Sequence, residues 1–425
     1  METPAGTPLQ SGTTAGVTTG TEKKPEAATD EVSFQLPGGS GYAPLNFTPG
    51  QGHFDRKPLS FSTSIQQGYD DNVDASSGKA GTQPIKGSFI TTASEGVDIL
   101  LAQSRVGLSL GANLGGQYYW DREGDKLTPN GGLNILFAYK LTPQAQFSAI
   151  VNSIYTTQPT LTTVNGLTQS NNKGYLLTNS KFDLLYRWSP RFSTDTFYTA
   201  NGAWYQDSNS QAGNYIDNTI GQSFRYAFSQ IVTGVLEGRY SMLQYKALPN
   251  GESSLNDADT YYALVGADVT LSRRLSASIR VGETTRNYQT AGISTSSSPY
   301  AEGSLNYTIS RTSLLALDAR YGFDDGGSGS QGKSVRTGLS FTQALSSRLR
   351  ASAGVNYTHI NGSDVPTGLA ASDTQDAVSA TLGAQYAYSK SLTFFGNVNR
   401  IQNFSSVETS KYSKDIFYLG ATYQY

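Results

Sequence analysis

From Leu59 onward, apolar and polar residues alternate with period two almost without interruption. In RVGLSLGANLGGQYYW (105–120), Val106, Leu108, Leu110, Ala112, Leu114, Tyr118 and Trp120 share one face. Arg105, Gly107, Ser109, Gly111, Asn113, Gly115 and Gln117 share the other. Period two marks a β-strand with one apolar and one polar face. The run is far longer than the usual five or six residues of a soluble strand. It suits a tilted strand that crosses a bilayer and projects beyond it. The last ten residues, IFYLGATYQY (416–425), alternate to the final tyrosine. A strand without an overhang points to a closing seam, pairing with the first strand around LSFSTSIQQGY (59–69).

Short turns of one form interrupt the pattern at Ser104, Thr142, Ser189, Ser229, Ser272, Ser310, Ser346 and Ser389. Each follows an apolar or aromatic residue in most cases and is soon followed by Leu, Ile or Phe. Longer polar loops lie between them, such as DREGDKLTPNGG, TLTTVNGLTQSNNKGY, LPNGESSLNDAD and NGSDVPTGLAASDTQ. Alternating short turns and long loops is the pattern of an outer-membrane barrel. The spacing predicts about 18 strands, an even number, starting near residues 59, 88, 105, 131, 145, 176, 192, 215, 231, 258, 275, 298, 314, 333, 349, 375, 392 and 412. Tyr139, Phe147, Tyr186, Trp188, Phe192, Tyr226, Phe228 and Tyr388 fall beside the short turns, whereas Tyr118, Trp120, Tyr155, Trp204, Tyr261, Tyr321 and Tyr357 fall near the loops. Two such girdles bracket a hydrocarbon band of about 25 Å. The predicted fold is therefore all-β: a transmembrane up-and-down antiparallel β-barrel over 57–425. Residues 1–56 are rich in Thr, Gly, Pro and Ala and are expected to form a disordered or coiled periplasmic arm. The stretch from Gly38 to Asp55 carries Tyr42, Leu45, Phe47 and Phe54, and is expected to fold back into the periplasmic mouth.

Composition agrees with this reading. Charged residues make up 15% and aromatics 11%, with 45 Gly and 27 Tyr. Low charge with abundant Tyr favours β-structure that meets an interface. Mean hydropathy is −0.38, and no run approaches the ~18 apolar residues of a membrane helix. Strands that are only half apolar escape such a scan. The net charge of −2 gives no reason to expect nucleic acid as a partner. The absence of cysteine excludes disulfides and thiol chemistry. METPAGTPLQ has no basic head and no apolar core, so a mature chain with an added initiator Met is expected, a cytoplasmic protein being the other reading.

At the end of the first strand, GYDDNV (68–73) resembles the putative β-barrel porin 2 group of Gram-negative bacteria. The resemblance implies an outer-membrane location and a polysaccharide exit route as one form of transport, with polysaccharide export components as partners. It supplies no catalytic residues. A terminal aromatic, Tyr425, similarly resembles the signal read by barrel-assembly machinery, and the barrel surface would meet outer-membrane lipid and lipopolysaccharide.

Candidate chemistry lies on the inward faces. Asp98, Asp183, Asp195, Glu237, Asp268 and Asp318 fall there with Arg105, Lys140, Lys181, Arg187, Arg225, Arg239, Arg280, Arg286, Arg320, Arg336 and Arg350. Such residues would make a polar, mildly cationic pore or a network that stiffens the wall. Other motifs have blander readings. GSGSQGKS (327–334) fits the phosphate-loop pattern by letter, but period two follows it, so no helix can begin there. His53 and His359 have no partners at metal-ligand spacing and read as solvent-exposed. YDDNVD and FDDGG offer clustered oxygens without the ordered spacing of a calcium loop. The reading is a porin-like barrel without enzyme activity or cofactor, passing hydrophilic solutes or an exopolysaccharide chain. The alternatives are a plugged structural or adhesive barrel and an outer-membrane hydrolase.

Overall fold

The computed structural model describes residues 58–425, except for positions 80–81, 83, 104, 158–159, 163–165, 169–173, 207–213, 247–256, 273, 291, 324–331 and 362–373. The proposed arm, 1–56, and its return into the mouth lie outside the described residues. The strands are β1 (Leu59–Asp70), β2 (Ser88–Ala102), β3 (Val106–Tyr119), β4 (Leu127–Lys140), β5 (Ala145–Thr156), β6 (Thr160–Thr162), β7 (Gly166–Thr168), β8 (Tyr175–Arg187), β9 (Phe192–Tyr205) and β10 (Tyr215–Ala227). They continue with β11 (Val232–Tyr245), β12 (Ala258–Ser272), β13 (Leu275–Tyr288), β14 (Ser296–Ser310), β15 (Ser313–Phe323), β16 (Lys333–Ala344), β17 (Leu349–Asn361), β18 (Gln375–Ala387), β19 (Leu392–Ser405) and β20 (Tyr412–Gln424). Eighteen of them pair antiparallel with their neighbours in one sheet, and β1 also pairs with β20, so the sheet closes.

The alternation in the sequence becomes the two faces of the wall. Along β1, Leu59, Phe61, Ile65 and Tyr69 are exposed, while Ser60, Ser62, Ser64 and Asp70 are buried. The outward residues are the apolar ones, as a hydrocarbon solvent demands. Leu114 is 77% exposed and Leu419 is 75% exposed; in water such a surface would be an aggregation hazard. Aromatic pairs stand at both ends of the outer surface, Tyr186–Trp188 and Tyr226–Phe228 beside short turns, Tyr118–Trp120 and Tyr240–Tyr261 beside long loops.

The short turns owe their recurring Ser or Thr to one device. Ser189 Oγ accepts the N–H groups of Arg191 and Phe192. Ser346, Ser389, Ser229 and Thr142 do the same two and three residues on. The hydroxyl satisfies backbone donors that the tight reversal leaves without strand partners.

Closure is secured by the GYDDNV motif. Asp70 and Lys414 form an ion pair at 2.7 Å with both side chains 0% exposed. Lys414 Nζ also donates to the carbonyls of Asn72 and Val73. Asp70 Oδ1 accepts the Asn72 N–H, and Asp71 Oδ1 accepts the Asp415 N–H at 2.7 Å. The Asn72 amide donates to the carbonyls of Ser76 and Ser413. The YDDNVD oxygens therefore fasten the first strand to the last, whereas Asp324 and Asp325 of FDDGG lie outside the described residues; no metal-holding cluster of three or more His, Cys, Asp or Glu occurs among the described residues. At the other end of the seam, Phe61 and Tyr425 exchange both backbone hydrogen bonds.

Two expectations are corrected in detail. β4 begins at Leu127, not near 131. Its opening LTPNGG reads as turn formers, but it pairs with Tyr118–Gly115, and Leu127 points outward, 68% exposed. The loop after β5 contains the β6–β7 hairpin, which has too few alternating residues to signal a strand. In the phosphate-loop look-alike, Lys333 and Ser334 open β16; Gly327–Gln331 lie outside the described residues.

Candidate functional site: the barrel lumen

The inward face carries the chemistry. On β8 to β14 it carries a network of charge. Lys181 pairs with Asp183 at 2.6 Å and lies over the Phe197 ring. Arg225 lies between Asp195 and Asp268, at 4.0 and 3.6 Å. Arg280 holds Asp268 at 2.8 Å and Glu237 at 3.7 Å. Ser223 donates to Glu237 at 2.7 Å. Arg239 bonds Glu237 and Glu302, and Tyr300 donates to Glu302 at 2.5 Å. The rings of Phe197, Tyr262 and Tyr300 each lie within 6 Å of the Arg239 guanidinium. The ion-paired side chains are between 5% and 25% exposed. At that depth each charge needs its partner, so the network fixes side chains more than it offers open charge.

The remaining sequence candidates fall into two groups. Asp318 and Arg336 are buried on β15 and β16, with Arg320 half-buried beside them and over the Tyr300 ring. Arg286, 1% exposed, lies over Phe323 and donates to Thr260. Lys140, Arg187 and Arg350 stand at strand ends next to the short turns, with Asp98 deeper in β2. Arg105 is not in the wall: it is exposed in the turn before β3, one residue outside the strand.

Sequence reasoning missed four inward charges. Glu302 sits in YAEGS, where the outward positions are only Ala and Gly, so alternation is faint. Asp217, Asp70 and Lys414 lie at strand ends beside loops, where the pattern is short. With these added, the excess of bases over acids shrinks, and much of the charge is already paired.

The other part of the wall, β17 to β5 through the seam, is different. Its mid-strand inward positions are mostly Ser, Thr, Asn, Gln and Gly. Asn399 accepts from Thr381 at 3.0 Å, and Thr422 donates to Ser64 at 3.2 Å.

The long-loop end of the lumen carries buried apolar clusters. Tyr175, Leu177, Ala203, Tyr215, Leu243 and Tyr245 form a buried cluster inside the barrel, with Tyr205 packed against it. Tyr412 of β20 packs with Ala377 and Ile401 in a separate inward cluster on the opposite part of the wall. The β6–β7 hairpin hangs on the connection from β5 to β8, yet β6 lies against β17 and β18 on the far side.

His359 is not simply solvated. On the outward face its Nδ1 is 2.9 Å from Asp376, which also accepts from Tyr357.

Residues 244–425 match the model of a family described as putative beta-barrel porin 2. Comparison with curated proteins finds no match. Among solved structures, the outer membrane protein OpdK of Pseudomonas aeruginosa aligns at 9% identity over 86% of this chain and 99% of its own, TM-score 0.42. OccAB4 of Acinetobacter baumannii aligns at 10% identity over 87% and 99%, TM-score 0.42. The siderophore receptor PirA of Pseudomonas aeruginosa aligns at 9% identity over 87% and 81%, TM-score 0.39. The closed sheet and the outward apolar band make the chain a porin-like β-barrel of the outer membrane, and its residues 244–425 are similar to the putative beta-barrel porin 2 family.

Proposed function

We propose that this barrel passes hydrophilic solutes, an extended polysaccharide chain among them, and that its long-loop end is closed at rest. A wall of 18 strands is wide enough to leave an aqueous lumen. The observation that carries the reading is the inward face: charged, amide and hydroxyl groups line it on strand after strand, which a merely structural barrel packed with apolar side chains would not need. The resting closure rests on the buried tyrosine cluster and on β6 lying across the lumen. Opening then requires the β6–β7 hairpin to leave the far wall.

Planar-bilayer recording tests this. The intact chain is expected to show small or intermittent conductance, and replacing residues 157–174 by a short Gly-Ser link should raise it to a steady open level. The buried tyrosine cluster and the β6 contacts with β17 and β18 also favour a second reading, a plugged barrel that serves structure or adhesion. Absence of conductance in both proteins, each inserted and heat-modifiable, would decide for the plug.

A further inference from the structure

Between the β1–β2 connection, residues 71–87, and the β3–β4 connection, residues 120–126, the long-loop rim holds a cleft of about 260 Å³. Asp74 and Lys86 line it from the first connection, and Arg122, Glu123 and Gly124 from the second. Hydrogen bonds fix both walls. The Asp121 N–H donates to Ser88 Oγ at 3.0 Å, the Phe89 N–H to Asp121 Oδ2 at 3.3 Å, and the Val73 N–H to the Lys86 carbonyl at 2.9 Å. Arg122 lies over the Tyr119 ring, 4.8 Å from its centroid, and that ring belongs to a buried cluster with Val73 and Ile90. The charges in the cleft are incompletely matched. Lys86 holds Glu123 at 2.7 Å. Arg122, its side chain 4% exposed, stands 3.7 Å from Asp74, whose side chain is 15% exposed. That distance is too long for a hydrogen bond, and Arg122 Nη1 and Asp74 Oδ1 have no hydrogen-bond partner. A buried donor and a buried acceptor left open side by side are costly, and call for a ligand that satisfies both. A single water needs only about 10–15 Å³ of such space, so the cleft has room for a polyatomic group.

We propose that this rim cleft binds a phosphate group that keeps a proton, as inorganic phosphate or a phosphomonoester. The open pair defines the class: the ligand must accept from Arg122 and donate to Asp74. A phosphate oxygen accepts from the guanidinium, a charge-assisted bond of the strong kind. The Lys86 ammonium has three N–H donors, one of them used on Glu123, and adds a second positive charge to the same cleft. The P–OH then donates to Asp74. Phosphate and its monoesters hold that proton to about pH 6, whereas sulfate has none to give. A fully deprotonated anion would meet the Asp74 and Glu123 carboxylates without a donor, and a simple cation would meet Arg122 and Lys86. The same phosphate chemistry arrives at the rim from free solutes and from lipid headgroups. The site does not depend on passage through the lumen.

The test uses the full chain, each variant first shown to be folded by heat-modifiable mobility. In detergent at about pH 6, where the proton is held, inorganic phosphate and sulfate are titrated by calorimetry. Phosphate should bind about tenfold tighter than sulfate, which leaves the Asp74 carboxylate without a donor. Arg122→Gln should weaken phosphate about tenfold or more, as the loss of a charged hydrogen bond implies. Asp74→Asn should bring sulfate level with phosphate, because the new amide can donate; a merely loosened loop would weaken both and leave their ratio alone. Lys79→Gln, at an exposed cation of the same connection that faces Glu408, should change neither. In bilayer discs, retention of lipid A carrying its phosphates is compared with lipid A stripped of them, in wild type and in Arg122→Gln. Binding in the detergent arm alone assigns the site to a free solute, and Arg122-dependent retention in the disc arm alone assigns it to a headgroup; both support a phosphate site. Equal affinity for phosphate and sulfate, an Arg122→Gln variant that binds like wild type, or no binding in either arm, which would leave the cleft to bridging water, would overturn it.

Discussion

Lys414→Met should weaken the seam more than any surface ion-pair change. In the wild type, Lys414 and Asp70 are wholly buried, 2.7 Å apart. Methionine keeps most of the side-chain volume but removes the ammonium. Asp70 then loses its counter-charge while still shut from water, and the carbonyls of Asn72 and Val73 lose their donor. Breaking a buried pair from one side costs about 3–5 kcal/mol, because an uncompensated charge remains. Substituting Asp70→Asn as well removes that charge, so the double variant should regain part of the loss. Arg400→Gln supplies the comparison. Its pair with Asp415, at 3.2 Å with Arg400 56% exposed, should be worth about 0–1 kcal/mol. The assay is reversible urea unfolding of vesicle-folded protein, read by heat-modifiable electrophoretic mobility and tryptophan emission. If Lys414→Met costs no more than Arg400→Gln, or if the double variant is worse than the sum of its parts, the clasp does not hold the seam.

Three further outcomes are expected. Arg at Leu110 or Val281, both on the lipid-facing side, should cost about 2–4 kcal/mol, whereas inward Asn113→Arg should be milder; equal losses in the same unfolding assay would contradict the assignment of faces. The lumen should prefer anions only slightly, the preference residing in Lys140, Arg187 and Arg350 at the short-turn end, so neutralising all three to Gln should shift the reversal potential in a salt gradient towards cations; an unchanged potential would place selectivity elsewhere. Gly68→Ala should destabilise by about 1–3 kcal/mol, since the new methyl would meet the Tyr418 ring at 2.3 Å and the Phe417 carbonyl at 2.4 Å across the seam; a neutral melting profile would show that the seam can yield there.

What the sequence determined by itself was local and periodic. Strand positions, outward faces and turns follow from alternation and from a hydroxyl that caps two N–H groups, and both operate within a few residues. The start of β19 at Leu392 and of β12 at Ala258 needed nothing more. Where outward residues are small, as around Glu302, the pattern fades and the residue goes unseen. The tertiary structure decided what depends on register and closure. Asn134, Asn152, Asn179 and Asn201 are 18 to 27 positions apart in sequence, or more, and become neighbours only because each turn sets the stagger of the next strand. Asp70 meets Lys414 only when the last strand returns to the first. Likewise, whether inward charges are open or paired depends on which strands face each other across the lumen. Alternation says that a side chain points inward; only the closed wall determines what it meets there.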